Sequence, residues 1–262
     1  MTLENKVVVV TGASSGIGEA LVIELAKRGA RVALVARREA ELEALRAKIG
    51  DAAIAIVADV TRREDHARVV ERTIAAFGHI DAWVNNAGRG ITRKPSELTD
   101  ADLDEMMLAN VKSALYGLQA VLPHWRSPEG RSRGTGHVVN VSSLLGRVPL
   151  APFRSAYSAS KSALNSLSAS LRAELKPENI LVSVVHPGVV QTDFGLNALH
   201  GGPDNRTLPG SQRVDEVATV IADVLEHRTA EAYTRAGSRE MIAAYYAAED
   251  VAFVESKPPY AR

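Results

Sequence analysis

Six short runs rich in valine, isoleucine and alanine, at residues 6–12, 31–36, 53–59, 80–85, 137–142 and 180–186, are apolar on both faces. A strand without a polar face must be covered on both sides, as in a parallel sheet flanked by helices. Longer amphipathic stretches separate the runs. Ile17, Leu21 and Leu25 recur every four residues, and Gly29 stands where that helix would stop. Thr61-Arg62-Arg63-Glu64 matches a capping box for the next helix but one. Residues 156–176 carry Leu164, Leu167, Leu171 and Leu175 on one stripe, closed by Pro177, and a later helix is expected over 214–227. Strand-then-helix alternation predicts an α/β fold with a doubly wound parallel sheet and right-handed crossovers. A (β/α) barrel would alternate in the same way, but the glycine-rich first turn favours the open sheet.

A chain of 262 residues fits one large domain, and no internal repeat or clean boundary divides it. Lys plus Arg and Asp plus Glu both number 31, so no overall field draws the protein to nucleic acid or an anionic membrane. Cysteine is absent, which excludes disulfides, thiolate metal sites and cysteine nucleophiles, and no metal site is expected. MTLENK leads directly into an apolar strand without a leader-like pattern, and no apolar run is long enough to span a bilayer; a cytoplasmic location is expected. Residues 126–136 read as a solvated polar loop. Residues 193–212, with four glycines and two prolines, read as a substrate lid. The tail 251–262, with Pro258-Pro259, carries no readable order.

The turn Thr11-Gly12-Ala13-Ser14-Ser15-Gly16-Ile17-Gly18 follows the first strand and opens the first helix. A phosphate there needs backbone amides aimed at it and no Cβ in the way, and the helix start adds about half a positive charge. Strand–turn–helix context raises the pattern above a bare glycine spacing. The spacing, T-G-x-x-x-G-x-G, resembles that of the short-chain dehydrogenase/reductase family in its shorter, single-domain form. The resemblance covers residues 5 to about 240 and implies a Rossmann-type sheet binding a nicotinamide dinucleotide through Gly12, Ser14, Ser15, Gly16, Ile17 and Gly18.

A carboxylate at the end of the second strand would hold the adenosine ribose and repel a 2′-phosphate. This chain has Ala36 there, followed by Arg37 and Arg38. Arg37 could fork onto a 2′-phosphate and Ser14 could add a hydroxyl, so NADP(H) is expected over NAD(H). The resemblance places the adenine against Asp59 and Val60, the close approach of the cofactor at Asn86, Ala87 and Gly88, and its carboxamide end at Pro187, Gly188, Val190 and Thr192. Small residues at a strand's carboxyl end also leave room for a ligand in any open α/β sheet.

Tyr157 and Lys161 lie four apart on a helical pattern, so they share a face. An ammonium one turn away would pull a phenol below its ordinary pKa of about 10, and a phenol so tuned can pass a proton to or from a substrate oxygen. Such a pair alone is more often an exposed helix with a buried ring. Ser143, at a strand end fourteen positions earlier, could hydrogen-bond the same oxygen or merely cap a turn. Asn110, unfavourable in mid-helix, points to a kink. The resemblance reads Asn110, Ser143, Tyr157 and Lys161 together as catalytic, with Asn110 relaying protons to Lys161 through water. His186 reads as a satisfied core residue.

Leu144, Leu145, Val148, Phe153, Val189 and Phe194 are the expected substrate lining. All are apolar, which favours an uncharged ketone, aldehyde or secondary alcohol. The Ala- and Ser-rich second face of 156–176 would admit a partner helix closely, and the resemblance implies a dimer or tetramer. The competing reading is a catalytically weak NADPH-binding regulator. It would not require all four polar residues together. An isomerase or lyase of the extended type would need a larger carboxyl-terminal domain and a different glycine turn.

Overall fold

The computed structural model describes residues 2–134 and 136–257. Seven parallel strands form one sheet: β1 (Val7–Thr11), β2 (Arg31–Ala36), β3 (Ala53–Val57), β4 (Ala82–Asn85), β5 (His137–Val141), β6 (Leu181–His186) and β7 (Glu231–Tyr233). Their spatial order is β3-β2-β1-β4-β5-β6-β7. The winding reverses between β1 and β4, where neighbouring loops diverge and leave a crevice at the strands' carboxyl ends.

Among the described residues the helices are α1 (Gly16–Lys27), α2 (Glu39–Ile49), α3 (Arg63–Phe77), α4 (Asp100–Met107), α5 (Ser113–Arg126), α6 (Pro128–Arg133), α7 (Ser155–Leu175), α8 (Val214–His227), α9 (Ser238–Ala247) and α10 (Val251–Glu255), and α1, α2, α3, α5, α7 and α8 lie against the sheet. Alternate strand residues enter opposite apolar layers. Val8, Val10, Val32 and Leu34 pack with Leu21 and Leu25 of α1 and Ile221 and Leu225 of α8. Val9, Ala33 and Val35 pack with Val69 of α3, Leu118 and Trp125 of α5, and Leu175 of α7. Two-sided burial is therefore the physical reason the strands lack a polar stripe. The single-domain, Rossmann-type doubly wound sheet expected from the sequence is the architecture found. No helix of the described residues is long and apolar enough to cross a membrane.

Several local expectations need correction. Thr61 does not cap α3, which starts at Arg63 after Arg62, with no side-chain cap. The Thr61 hydroxyl donates instead to Asp59 Oδ1 at 2.7 Å, and Glu64 pairs with Arg62. A carboxylate two residues away is a stronger acceptor for that hydroxyl than a free helix end is a donor. The polar stretch 126–136 contains α6, capped by Ser127, whose oxygen accepts from Gly130 N–H. Strand β7 went unread because three half-buried residues show no period. Of the tail, residues 251–255 form α10, and Pro258-Pro259 lie outside the described residues. Asn110 does mark an irregular helix: Leu108–Lys112 forms a π-helical turn joining α4 to α5.

His137 is a buried histidine in β5. Ser183 Oγ donates to Thr229 O, so it accepts from His137 Nε2–H at 2.7 Å, and Nδ1 is left without a partner. Burial pushes its pKa down to about 4. The unfolded chain takes up this proton near pH 6.5 and the native state only near 4, so stability is complete above the first value and lost on acidification between the two. Urea unfolding should show about 2 kcal/mol less sensitivity to a drop from roughly pH 7 to 5 in His137→Gln than in the parent.

Candidate active site

The glycine turn sits at the mouth of the crevice. Gly12 and Gly16 have φ of +68° and +58°, a region that favours glycine. A Cβ on Gly12 would lie 2.9 Å from Ala87 Cα, and one on Gly18 only 2.2 Å from Gly12 O. Thr11 ties the turn to the β4 loop. Its hydroxyl donates to Val84 O and accepts from Asn86 and Ala87 N–H, while Asn86 Nδ2 donates to Thr11 O. The glycines thus let the turn pack directly on the β4 loop, and α1 begins there with no side-chain cap on its first amides. This cradle fits a dinucleotide phosphate. Ser15 and Ile17 flank Gly16, and a Cβ on Gly16 would meet Thr192 Cγ2 at 3.0 Å. The turn and the segment after β6 therefore face each other across the cleft.

At the end of β2, Arg38 turns back onto the turn. Its Nε and Nη2 donate to Ser14 Oγ at 3.1 and 3.0 Å, and Nη2 also to Ser14 O. Arg37 is exposed beside it. Asp59 accepts from Thr61 N–H and hydroxyl. Burial opposes its charge, but the Thr61 hydrogen bonds, with Arg37 and Arg62, hold its carboxyl below the ordinary range. Val60 O accepts from His66 Nε2–H at 2.9 Å, which fixes that backbone.

Ser143, Tyr157 and Lys161 are brought together at the carboxyl ends of β5 and α7's first turns. Ser143 follows β5 and opens a short 3₁₀ turn, accepting from Leu145 N–H at 3.1 Å. Its hydroxyl also stands beside the Tyr157 phenol, where it favours the ionised form. Capping a turn and meeting the tyrosine are therefore both true of it. Lys161 is buried and its Nζ donates to Val141 O at 2.9 Å. Asn110 Oδ1 accepts from Arg89 N–H, and its Nδ2 donates to Arg89 O and Ser160 Oγ. A Cβ on Gly88 would stand 2.8 Å from Asn110 Oδ1 and 3.5 Å from Lys161 Nζ, so Gly88 keeps open the space between them. The π-helical turn sets Asn110 here, because its wider backbone aims the amide at the β4 loop.

The expected electrostatics are reversed. Burial pushes the Tyr157 phenol up to about 12, against the Ser143 hydrogen bond and the Arg154 charge. Burial likewise brings Lys161 down to about 8. Desolvation dominates both groups. A phenol so placed keeps its proton at neutral pH and can donate it.

The expected lining divides. Leu145 and Phe194 pack with Tyr157, Ile91, Met106 and Leu199. The Tyr157 and Phe194 ring centroids are 5.5 Å apart. Leu144 and Val148 lie in a separate cluster with Met241, Ile242 and Tyr245 of α9. Phe153 and Val189 are half-buried; the Phe153 carbonyl accepts from Arg93 N–H. Pro187 O accepts from Leu144 N–H, Gly188 is half-buried, and Val190 is buried and bridges to Gln212. His186 is buried, stacked on Tyr233 at 4.8 Å and within 2.9 Å of Glu231 Oε1.

Segment 193–212 folds over this cluster. Ile91 bridges Leu199, and His200 reaches Asp102 Oδ1 at 2.8 Å. Asp102 also accepts from Thr99 N–H and from Arg93; the Thr99 N–H, His200 and the other donors hold its carboxyl well below the usual range. One residue at this end was missed from the sequence. Arg154 is only 7% exposed, one turn before Tyr157, and makes the lining less free of charge than the six apolar positions suggest. The signal was present in F-R-S-A-Y, but an arginine ahead of a helix ordinarily reads as solvated.

A family model described as short chain dehydrogenase matches residues 6–200. An uncharacterized oxidoreductase of Listeria innocua is 38% identical over 240 residues, covering 86% of this chain and 92% of that protein. A short chain dehydrogenase from Burkholderia cenocepacia in complex with NADP superposes with a TM-score of 0.80 at 29% identity, covering 98% of each chain. A 3-ketoacyl-(acyl-carrier-protein) reductase from Brucella melitensis complexed with NADH gives 0.79 at 28% identity, covering 88% of this chain and 96% of that one.

The cradle has no spare volume at its inner glycine. Gly18→Ala should lower stability by about 1–3 kcal/mol, seen as a lower melting temperature, and should weaken dinucleotide binding measured by calorimetry.

Proposed function

The chain belongs to the short-chain dehydrogenase/reductase family, and we propose that it is an NADP(H)-dependent oxidoreductase acting on a carbonyl or secondary alcohol with an apolar body. The observation that carries this reading is the Ser143–Tyr157 hydroxyl pair, backed by buried Lys161, at the end of a sheet whose glycine turn is shaped for a dinucleotide. When bound, the nicotinamide supplies or takes the hydride.

In the reducing direction Tyr157 donates its proton to the carbonyl oxygen, and Ser143 donates a hydrogen bond to the same atom. Burial keeps the phenol protonated until the substrate arrives. Lys161, with its pKa brought to about 8, is a cation that can reprotonate or support the tyrosine, and Asn110 holds the Arg89 backbone, next to Gly88 on the lysine's side of the crevice. Gly12, Ser14, Gly16 and Gly18 would hold the phosphates, Asp59 and Val60 the adenine side, and Pro187 to Thr192 the carboxamide end.

Related complexes contain NADP in one case and NADH in another, so support for NADP(H) rests on this chain's own residues. No acid stands at Ala36, and the fork of Arg38 is already anchored on Ser14, with Arg37 beside it. We read Arg38, held on Ser14, and Arg37, exposed beside it, as the two cations for a 2′-phosphate. A cysteine-free chain suits the reducing cytoplasm. On α7, Ala159, Ser162, Ser166 and Ala169 are exposed, a close-packing face for a second copy in a dimer or tetramer.

The test is NADPH oxidation with a panel of carbonyl compounds. Tyr157→Phe should cut kcat by roughly a hundredfold to ten-thousandfold. Arg38→Ala should raise KM for NADPH about tenfold to a hundredfold, with little change for NADH. Equal use of NADH and NADPH by the parent would overturn the cofactor assignment, and an unimpaired Tyr157→Phe would overturn the chemistry.

A further inference from the structure

Arg154 has no role in hydride or proton transfer, yet it is buried beside the phenol that does. Arg154, Tyr157 and Lys161 are spaced i, i+3, i+7 and so lie along one side of the α7 start. Lys161 lies beyond the tyrosine on one side, toward β5. Arg154 lies on the other, under segment 193–212. Its Nη1 and the Phe194 ring stand 2.9 and 2.8 Å from where a Gly90 Cβ would be; its Nη2 and Thr92 Oγ1 both stand 2.8 Å from where a Gly202 Cβ would be.

Among the described residues no carboxylate pairs with this guanidinium. Its hydrogen bond is a long one, Nη1 to Ile91 O at 3.3 Å. The acids of this region are engaged elsewhere: Asp102 with Thr99, Arg93 and His200, Asp193 with Arg206, and Glu105 with Arg89. Thr92 Oγ1, alongside, is buried without a partner. A buried cation without a counter-ion is strongly unfavourable unless a partner arrives. Burial also pushes the guanidinium below its ordinary range.

We infer that Arg154 is a substrate-recognition residue that takes a carboxylate carried by the substrate, with Thr92 as a second donor. The planar fork of an arginine matches a carboxylate with two parallel hydrogen bonds. Around it Ile91, Leu98, Phe194 and Leu199 are apolar. The substrate class is therefore an oxo acid, or the matching hydroxy acid, with a hydrocarbon body and one anionic end. This rests on the proposed reductase reading and narrows it, replacing the uncharged substrate expected from the sequence.

The experiment compares straight-chain oxo acids of graded spacing with their methyl esters under NADPH. The parent should favour the best acid over its ester by roughly tenfold to a hundredfold in kcat/KM, mainly through KM. In Arg154→Met that ratio should collapse to about one, and Arg154→Lys should keep part of it. A clamp that only held segment 193–212 would slow acid and ester alike and leave the ratio intact, which overturns the inference. A parent that favours esters overturns it as well, and does so even if Arg154→Met fails to fold. If no carbonyl compound is reduced, the reductase reading fails. The carboxylate site is then judged by saturation-transfer NMR of a straight-chain carboxylate against the corresponding alcohol: selective binding by the parent, lost in Arg154→Met, supports it, and equal binding of both overturns it.

Discussion

The site depends first on a single threonine hydroxyl. Thr11 ends β1 and Asn85 ends β4, the two strands between which the sheet changes direction. The Thr11 side chain binds Val84 O and two amides of the β4 loop at once. It thereby holds the glycine turn against Asn86 and Ala87, close enough that a methyl group on Gly12 would collide. Without this tie two loops leaving in opposite directions would splay, and neither bare backbone nor Gly88 would hold its place beside Lys161. Fold and site thus meet at one buried hydrogen-bonding group.

Burial, more than pairwise attraction, sets the protonation states around the crevice. Tyr157, Lys161 and Arg154 are each moved against their charged forms. The lysine's nearest partner is a backbone carbonyl, which satisfies its hydrogen bonding without adding charge. Two cations on either side of a neutral phenol, in a largely apolar surround, make a region of unmatched positive potential. An anion or developing oxyanion entering there meets donors that need no reorganisation.

Most of the architecture could be read directly because its cause is repeated. Six strands and the α7 stripe each carry several apolar residues at one spacing, and most are buried as that spacing requires, with Leu164 and Leu175 fully covered and Leu167 and Leu171 half-buried. What escaped has a single local cause. Strand β7 is three residues long; α6 rests on one serine cap inside a polar stretch; Thr61 was claimed by a neighbouring aspartate. Within the site, the hydroxyls, the lysine and the glycines could be placed by their order on known elements. Arg154 could not, since its burial comes from residues 90–92 and 194–202, distant in sequence. The sign of the Tyr157 shift was also out of reach, because spacing reveals a neighbouring charge but not how much water is left.

The π-helical turn at Leu108–Lys112 has a consequence for how this site can vary. Such a turn holds one residue more than the α-helix it interrupts. Loss of any one of the four residues around Asn110 in this turn would let α4 and α5 merge into a regular helix with better backbone geometry. It would also rotate Asn110 off the β4 loop by about a quarter turn. The helix is thus locally metastable toward a more regular form, and the amide clasp on Arg89 persists only at the expense of that regularity. Shortening here would leave a well-folded chain whose crevice had lost one wall.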